Sequence, residues 1–221
     1  MSFNVAIDGP AGAGKSTIAK QLAKELGFVY VDTGAMYRAF GYYFLTNHIS
    51  ADDEESISAA CPKVDISITY EDGVQNVWLN GENVSGVIRN EEVGNMASAT
   101  SVYPVVRTKL VELQQQLAKT TDVIMDGRDI GTVVLPNADV KIYMTASSAI
   151  RAKRRFDELT AKGVECDLDA IEKDIIERDY RDMNRETSPL KKADDAVELD
   201  TSNLDIDGVV NAMKEIIEKA R

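Results

Sequence analysis

A glycine-rich stretch near the N-terminus has the residue types and spacing needed to hold phosphate. It reads Gly9-Pro10-Ala11-Gly12-Ala13-Gly14-Lys15-Ser16-Thr17, and from Gly9 to Ser16 it fits the P-loop pattern G-x-x-x-x-G-K-[ST]. In that pattern backbone N–H groups surround the phosphates of a nucleoside triphosphate, the lysine reaches the β- and γ-phosphates, and the hydroxyl holds Mg²⁺. We therefore predict a triphosphate site with Lys15 and Ser16 in those roles. The alternative is a glycine-rich turn that matches by chance.

Arginine is the second residue type with chemical potential, and it is concentrated late in the chain. Six of the eleven arginines fall between 151 and 185: Arg151, Arg154, Arg155, Arg178, Arg181 and Arg185. The first three are spaced so that they share one face of a helix, and the last three share one face of another helix. One interpretation is a set of cations for a transferring phosphoryl group, which the P-loop favours for Arg178 and Arg185. The other is a solvent-facing helix with Glu177–Arg181 and Arg178–Asp182 pairs, and it stays open for the first trio.

Three more arginines lie at junctions between predicted elements. Arg38 comes directly after the second predicted strand, and Arg128 lies in Asp126-Gly127-Arg128-Asp129 after the third. Arg107 falls early in a helix that begins near Pro104. The first two are predicted at the ligand-binding edge of the sheet, because open α/β sheets bind ligands at the carboxyl ends of their strands.

The elements that must position these residues follow an α/β pattern. Short, β-branched runs typical of buried parallel strands occupy 3–8, 28–32, 122–126, 140–144 and 196–200. Helical patterns occupy 34–47, about 91–98, 103–119, 148–162, 168–187 and 205–220, and a helix also starts at Ile18. Four of the strands end in an acid: Asp8, Asp32, Asp126 and Asp200. These acids are either ligand-site residues or caps of the element that follows.

Residues 64–84 have a different pattern. Apolar residues alternate with polar ones from Val64 to Tyr70, and turn signals follow at 71–73 and 80–81. We predict a small antiparallel β insert between the second and third core strands. The insert is either a subdomain on the substrate side of the protein or a purely structural element.

The whole-chain composition limits the kinds of partner. The formal net charge of −12 argues against general nucleic-acid or membrane-surface binding. No stretch reaches the roughly 18 apolar residues of a membrane span, and no signal-like segment follows Met1. Cys61 and Cys166 have no metal or redox spacing, so we expect a reduced, cytoplasmic protein. His48 is expected to be a surface or packing residue.

Four segments spread over nearly the full length together resemble the bacterial cytidylate kinase (CMP kinase) family, within the nucleoside monophosphate kinase group. They are 7–17, 32–38 (Asp32-Thr33-Gly34-Ala35-Met36-Tyr37-Arg38), 126–134 and 178–185. The insert near 64–90 matches the extra sheet that distinguishes this family from adenylate kinase. Thr33 stands where serine is also found in the family, and it keeps the hydroxyl.

The resemblance implies a P-loop three-layer α/β fold with a five-stranded parallel core, a small antiparallel insert and a helical, mobile lid. It implies one kinase domain over 1–221. The core would take about 1–33, 100–150 and 188–221, the acceptor-binding region with its insert about 34–99, and the lid with its flanking helices about 151–187. The implied reaction moves the γ-phosphoryl group of ATP to CMP or dCMP, with Mg²⁺ as cofactor.

By motif position, the resemblance assigns the acceptor phosphate to Arg38, Arg128 and Arg185. Arg178 and Asp182 would lie near the acceptor ribose.

The resemblance also assigns cytosine recognition to Ser98, Arg107 and Asp129, with Thr33 and Tyr37 lining the pocket. The chemistry agrees, because a carboxylate can accept from the cytosine amino group while arginine and serine donate to the ring acceptors.

The implied catalytic residues are Lys15, Asp126, Arg128, Arg178 and Arg185. ATP would be bound by Gly9–Thr17 with Arg151 and Arg155. Asp126 either orients water on Mg²⁺ or braces the P-loop. No general base is required, because the second pKa of a phosphate monoester is about 6.

Two other functions are weighed against this one. The first is a P-loop kinase for another nucleotide or for a metabolite hydroxyl. The arginine excess favours a phosphorylated acceptor over a hydroxyl acceptor. A nucleotide-dependent switch such as a GTPase is the second, and the sequence has no Asn-Lys-x-Asp guanine signature. The expected partners are ATP and CMP or dCMP, with no nucleic acid, no membrane and a monomeric state.

Overall fold

The computed structural model describes residues 2–221. In this part of the chain the strands are β1 (Asn4–Asp8), β2 (Val29–Asp32), β3 (Ile66–Glu71), β4 (Val74–Leu79), β5 (Glu82–Asn83), β6 (Val123–Gly127), β7 (Val140–Thr145) and β8 (Val197–Asp200). The α-helices are α1 (Lys15–Leu26), α2 (Thr33–Thr46), α3 (Glu54–Ala60), α4 (Glu91–Thr100), α5 (Pro104–Thr120), α6 (Ser148–Ala161), α7 (Leu168–Asn184) and α8 (Ile206–Glu218). The predicted α/β alternation is confirmed.

Five strands form a parallel sheet in the order β2-β6-β1-β7-β8. The register pairs Asp8 with Gly127 of β6 and with Tyr143 of β7, and it pairs Asp32 with Asp126. The acidic strand ends Asp8, Asp32 and Asp126 therefore lie at one edge of the sheet, where ligands bind in open α/β folds.

Helices cover both faces of this sheet. Successive side chains of a strand point to opposite faces, so Val5 and Ile7 pack with α1 and α8, while Ala6 packs with α2 and α5. The result is the predicted three-layer arrangement with one apolar core on each side.

Strand β8 differs from the sequence expectation of a buried strand. Its residues are mostly exposed, and Val197 is 46% exposed. β8 is the edge strand and pairs only with β7. An apolar run on an edge strand cannot be told from one in a central strand by its sequence alone.

The insert is confirmed as a three-stranded antiparallel sheet, β3-β4-β5. Its inward residues, such as Ile66 and Val77, join the same apolar core as Phe40 and Phe44 of α2. The insert therefore packs on the core and is not a separate unit.

Three elements were not predicted. They are helix α3, the 3-10 turn Cys61–Lys63 and a π-helical turn at Ile130–Val134. The π-helical turn has a special cause, because its first N–H groups are held by the carboxylate of Asp8. None of the helices in the described part of the chain is both long and apolar enough to cross a bilayer.

Candidate active site

One cleft of about 870 Å³ opens at the carboxyl edge of the parallel sheet. Every predicted site residue except Gly9 and Pro10 lines it. Ten basic and six acidic side chains contribute to its walls, although the whole protein is strongly acidic. Cations concentrated in an acidic protein indicate a local site for a polyanion.

The P-loop connects β1 to α1, and its packing and backbone conformation require glycine at positions 9 and 14. A Cβ on Gly9 would lie 1.9 Å from the carbonyl oxygen of Met144, so the loop packs against β7 without space for a side chain. Gly14 caps α1 with φ of 88°, a conformation that L residues rarely adopt. The loop thus leads directly into a helix N-terminus, which favours phosphate.

Lys15 is buried within this loop. Its Nζ donates to the carbonyl oxygens of Gly9 and Pro10, at 2.7 Å each. Burial lowers the pKa of Lys15 well below its ordinary value and Arg128 adds to this, while Asp126 and Asp8 oppose the shift. The ammonium group is therefore fixed at the cleft wall by two carbonyl oxygens of its own loop.

Ser16 and Asp126 meet between the P-loop and β6. The Ser16 hydroxyl donates to Oδ2 of Asp126 at 2.7 Å, and the Tyr30 hydroxyl donates to Oδ1 at 2.8 Å. Burial raises the pKa of Asp126, and neighbouring Asp32 raises it further. Asp126 thus braces the P-loop. Its carboxylate and the Ser16 hydroxyl place two oxygen atoms side by side, and such oxygens could coordinate a metal ion.

A buried pair of opposite charges forms another part of the cleft. Arg107 of α5 donates to Oδ2 of Asp129, and Arg107 also donates to the Ser101 carbonyl at 3.2 Å. Both side chains are nearly inaccessible, and Arg185 lies 3.7 Å from the other oxygen of Asp129. A buried carboxylate between two arginines is a fixed acceptor beside fixed donors.

Arg128 and Arg178 flank a second buried acid, Asp182 of α7. The Nε atom of Arg128 donates to Oδ2 of Asp182 at 2.8 Å. Burial would raise the pKa of Asp182, but Arg128, Arg178 and Arg185 hold it below its ordinary value. Burial, with Arg128, lowers the pKa of Arg178 to about 10. Among residues 2–221 neither the Arg178–Asp182 nor the Glu177–Arg181 ion pair forms.

The wall contributed by α2 and α4 contains Thr33, Tyr37, Arg38 and Ser98. The Thr33 hydroxyl donates to the Asp126 carbonyl at 2.6 Å, and the Tyr37 ring packs 5.6 Å from the Arg107 guanidinium. Arg38 donates to the carbonyl oxygens of residues 88 and 90. Ser98 is partly buried and faces the cleft.

The arginines of α6 have three different environments. Arg151 is buried and donates to the Ala11 carbonyl of the P-loop at 2.8 Å and to Asp179 at 2.5 Å. Arg154 donates to the Thr201 carbonyl, and Arg155 is half-exposed beside Glu158. Arg151 therefore ties the P-loop to α7, whereas Arg155 is the trio's exposed member.

Some residues around the cleft were not predicted. Arg89 lines it and pairs with Asp32 at 2.8 Å. The side chain of Gln75 accepts from the backbone N–H of Asp32 and donates to its carbonyl, so the insert is tied to edge strand β2. Asp8 also anchors the segment after β6. Only for Asp8 and Asp32 did the sequence carry a signal, their position at strand ends.

The remaining reactive side chains lie elsewhere. His48 is exposed in the turn after α2, as expected. Cys61 is buried, Cys166 is partly buried, and both are free thiols.

Comparison with solved structures shows the fold. A gluconokinase from Sinorhizobium meliloti 1021 matches with a TM-score of 0.51 at 11% identity, covering 99% of this chain and 93% of that one. A protein of unassigned function from Eubacterium ventriosum matches with a TM-score of 0.52 at 12% identity, covering 99% of each chain.

Comparison of sequences is more specific. The cytidylate kinase from Lactobacillus gasseri is 54% identical over 217 residues, which cover 98% of this chain and 94% of that protein. The one from Listeria monocytogenes is 52% identical over 215 residues, 97% of this chain and 95% of that protein. The family model described as cytidylate kinase matches residues 5–219. This chain belongs to the cytidylate kinase family.

Proposed function

We propose that the protein is an ATP-dependent kinase that phosphorylates CMP and dCMP, giving ADP and CDP or dCDP. The observation that carries the proposal is one cleft that holds both a P-loop and the buried Arg107–Asp129 pair. The P-loop suits the triphosphate donor. The carboxylate and the guanidinium suit the amino donor and the ring acceptors of cytosine.

The chemistry is an in-line displacement. A phosphate oxygen of CMP attacks the γ-phosphorus of ATP, and the bond from that phosphorus to the β–γ bridging oxygen breaks, so ADP leaves with the bonding electrons. The attacking oxygen is largely ionised at neutral pH, since the second pKa of the phosphate is about 6. The side chains therefore have to supply position and charge rather than a general base.

Lys15, Arg128, Arg178 and Arg185 are suited to supply that charge. All four line the cleft, and burial reduces the competing hydration of Lys15 and Arg185. In this proposal Arg38, Arg128 and Arg185 hold the acceptor phosphate. Each of these guanidinium groups is fixed by contacts to a carbonyl or a carboxylate.

The acceptor ribose and base take the neighbouring positions. Arg178 and Asp182 are proposed at the ribose. Ser98, Arg107 and Asp129 are proposed at cytosine, with Thr33 and Tyr37 against it. Support comes from the cleft, which brings residues from α2, α4, α5 and α7 into one wall.

The donor set fits Mg²⁺. Among residues 2–221 no group of three or more His, Cys, Asp or Glu side chains could hold a metal ion. Mg²⁺ in nucleotide sites uses one or two protein oxygens together with substrate phosphates and water. The adjacent Ser16 hydroxyl and Asp126 carboxylate would supply those oxygens. When bound with ATP, Mg²⁺ supplies charge neutralisation on the phosphates.

The regional division is also part of the proposal. Residues 34–99 would bind the acceptor, and 151–187 would act as a lid whose closure keeps water from the γ-phosphate. Arg151 of α6 contacts the Ala11 carbonyl of the P-loop and Asp179 of α7, so the proposed lid lies directly over the donor loop. The free cysteines agree with a reducing compartment such as the cytoplasm. We propose a monomer that binds no nucleic acid.

A coupled ADP-release assay tests the proposal. ATP and Mg²⁺ would be held constant while CMP, dCMP, UMP, AMP or no acceptor is supplied. CMP and dCMP should give the highest kcat/KM. Turnover that needs no acceptor would indicate an ATPase instead. In a parallel series with GTP in place of ATP, turnover only with GTP would indicate a guanine-nucleotide protein.

A further inference from the structure

The carboxylate of Asp8 holds the segment that carries the acceptor-side residues. Its Oδ1 accepts the N–H of Ile130 and its Oδ2 accepts the N–H of Gly131, both at 2.7 Å. Asp8 is 4% exposed, and it is not among the described residues that line the cleft. Its side chain therefore binds the backbone of Ile130 and Gly131 and does not itself face the cleft.

The position of Asp8 in the sheet completes this arrangement. Asp8 is the register partner of Gly127, the last residue of β6. The backbone leaves β6 at Gly127 and returns to Asp8 at Ile130 and Gly131. Only Arg128 and Asp129 lie between these two anchors, and both face the cleft.

The next residue along the chain, Gly9, begins the P-loop. The backbone of Asp8 thus leads into the donor loop, while its side chain fixes the acceptor segment. Arg128 and Asp129 each hold a further partner, Asp182 and Arg107 respectively. A displacement at Asp8 would therefore be transmitted to Arg128 and Asp129, two of the residues proposed to contact CMP.

We propose that Asp8 is a positioning residue that sets the acceptor-binding segment 127–131 relative to the P-loop. The inference rests on the proposed function, because it assigns the segment to CMP. The hydrogen bonds of the P-loop do not use the Asp8 carboxylate, although the charge of this carboxylate does act on Lys15. Lys15 bonds to Gly9 and Pro10, Arg151 bonds to Ala11, and Gly9 packs on Met144.

The test compares Asp8→Asn with Asp139→Asn. The amide keeps one accepting oxygen but turns an NH₂ group toward a backbone N–H, so one of the two bonds is lost. The control is matched, because Asp139 also accepts a backbone N–H of β1, that of Asn4 at 2.7 Å, at the opposite end of the strand.

The Asp8→Asn variant should lower kcat/KM for CMP about ten- to a hundredfold, the effect of one hydrogen bond to a charged group. The dissociation constant for ATP, measured by calorimetry without CMP, should change less than about threefold. Hydrogen exchange at the amides of Ile130 and Gly131 should become faster. Asp139→Asn should leave all three unchanged.

A second variant covers a failure of Asp8→Asn to fold. A Cβ on Gly131 would lie 3.3 Å from Oδ2 of Asp8 and 3.2 Å from the Lys141 side chain, so Gly131→Ala strains the same contact with the carboxylate kept. It should lower kcat/KM for CMP more than ATP affinity.

The inference is overturned if the folded variants keep the wild-type kcat/KM for CMP, or if CMP and ATP are affected equally. A wild-type enzyme that forms no CDP would instead overturn the proposed function, so the two failures are distinguishable.

Discussion

Arg128 and Asp182 form an ion pair, with Nε 2.8 Å from Oδ2, that joins the end of β6 to helix α7. Asp182 is 7% exposed, so water screens the pair weakly. The pair links the segment proposed to hold the acceptor phosphate to the proposed lid. Binding of CMP at Arg128 and movement of α7 are therefore expected to be coupled.

Replacing Arg128 with alanine should lower kcat for CMP phosphorylation about a hundred- to a thousandfold, because a positioned cation is lost from the developing charge. Circular dichroism should show the wild-type fold. Lys153→Ala, which removes an exposed cation of α6 in a surface pair with Asp157, is the control and should keep full activity. Near-normal kinetics for Arg128→Ala would remove Arg128 from the catalytic set.

Replacing Asp129 with asparagine should reduce the preference for cytosine. The asparagine can donate as well as accept, which suits the O4 carbonyl of uracil. We expect the ratio of kcat/KM for CMP to that for UMP to fall about tenfold or more, since a site group matched to one base edge discriminates by about 1–3 kcal/mol. An unchanged ratio, with lower activity on both substrates, would show that Asp129 only balances the charge of Arg107.

Arg151 and Arg155 were both expected to contact ATP, and their environments predict different losses. Arg151→Ala would leave the buried Ala11 carbonyl and Asp179 without a partner, and we expect about 2–4 kcal/mol lower stability in urea unfolding. Arg155→Ala should leave stability within about 0.5 kcal/mol and raise the KM for ATP severalfold. If Arg155→Ala keeps the wild-type KM for ATP, Arg155 is not an ATP ligand.

Asp8 should make stability depend on pH. Burial raises its pKa from 3.8 to about 6, opposed by the Ile130 and Gly131 bonds. Asp129 and Lys15 face it, and Tyr143 and Lys141 lie beside it. The folded protein thus binds this proton more tightly than the unfolded chain, so the stabilisation is full below pH 4 and is lost as pH rises through 6.

The measurement is urea unfolding of wild type and Asp8→Asn from pH 4 to 7. The difference in free energy of unfolding, wild type minus variant, should fall by about 2 kcal/mol over this range. Distant titrating groups are common to both proteins and cancel, so the difference reports Asp8 together with its effect on neighbours such as Lys15. A difference that is flat or that rises with pH would contradict the raised pKa.

The sequence predicted the sheet and the residues of the cleft because their signals are local. A P-loop requires glycines at fixed spacing, and Asp126-Gly127-Arg128-Asp129 directly follows an apolar run that becomes β6. Pro104 placed Arg107 near the start of a helix, and only the family resemblance placed Arg107 in the site. Residues of this kind can be located once the strand or helix that carries them is predicted correctly.

Contacts between distant segments could not be predicted in the same way. The tie between Gln75 and Asp32 depends on how the insert docks, and no periodicity encodes that. For Arg151 the sequence left open a phosphate-binding cation or a solvent-facing one, whereas packing of α6 buries it against the P-loop. Asp182 does lie near Arg178, as its spacing indicates, but the carboxylate is hydrogen-bonded to Arg128, 54 residues away.

Direct identification of the products by ³¹P NMR tests the central claim most directly. With Mg²⁺, ATP and CMP, the enzyme should consume both nucleotides and form ADP and CDP in equal amounts, without inorganic phosphate. Formation of ADP and inorganic phosphate while CMP is unchanged would contradict transfer of the phosphoryl group to CMP.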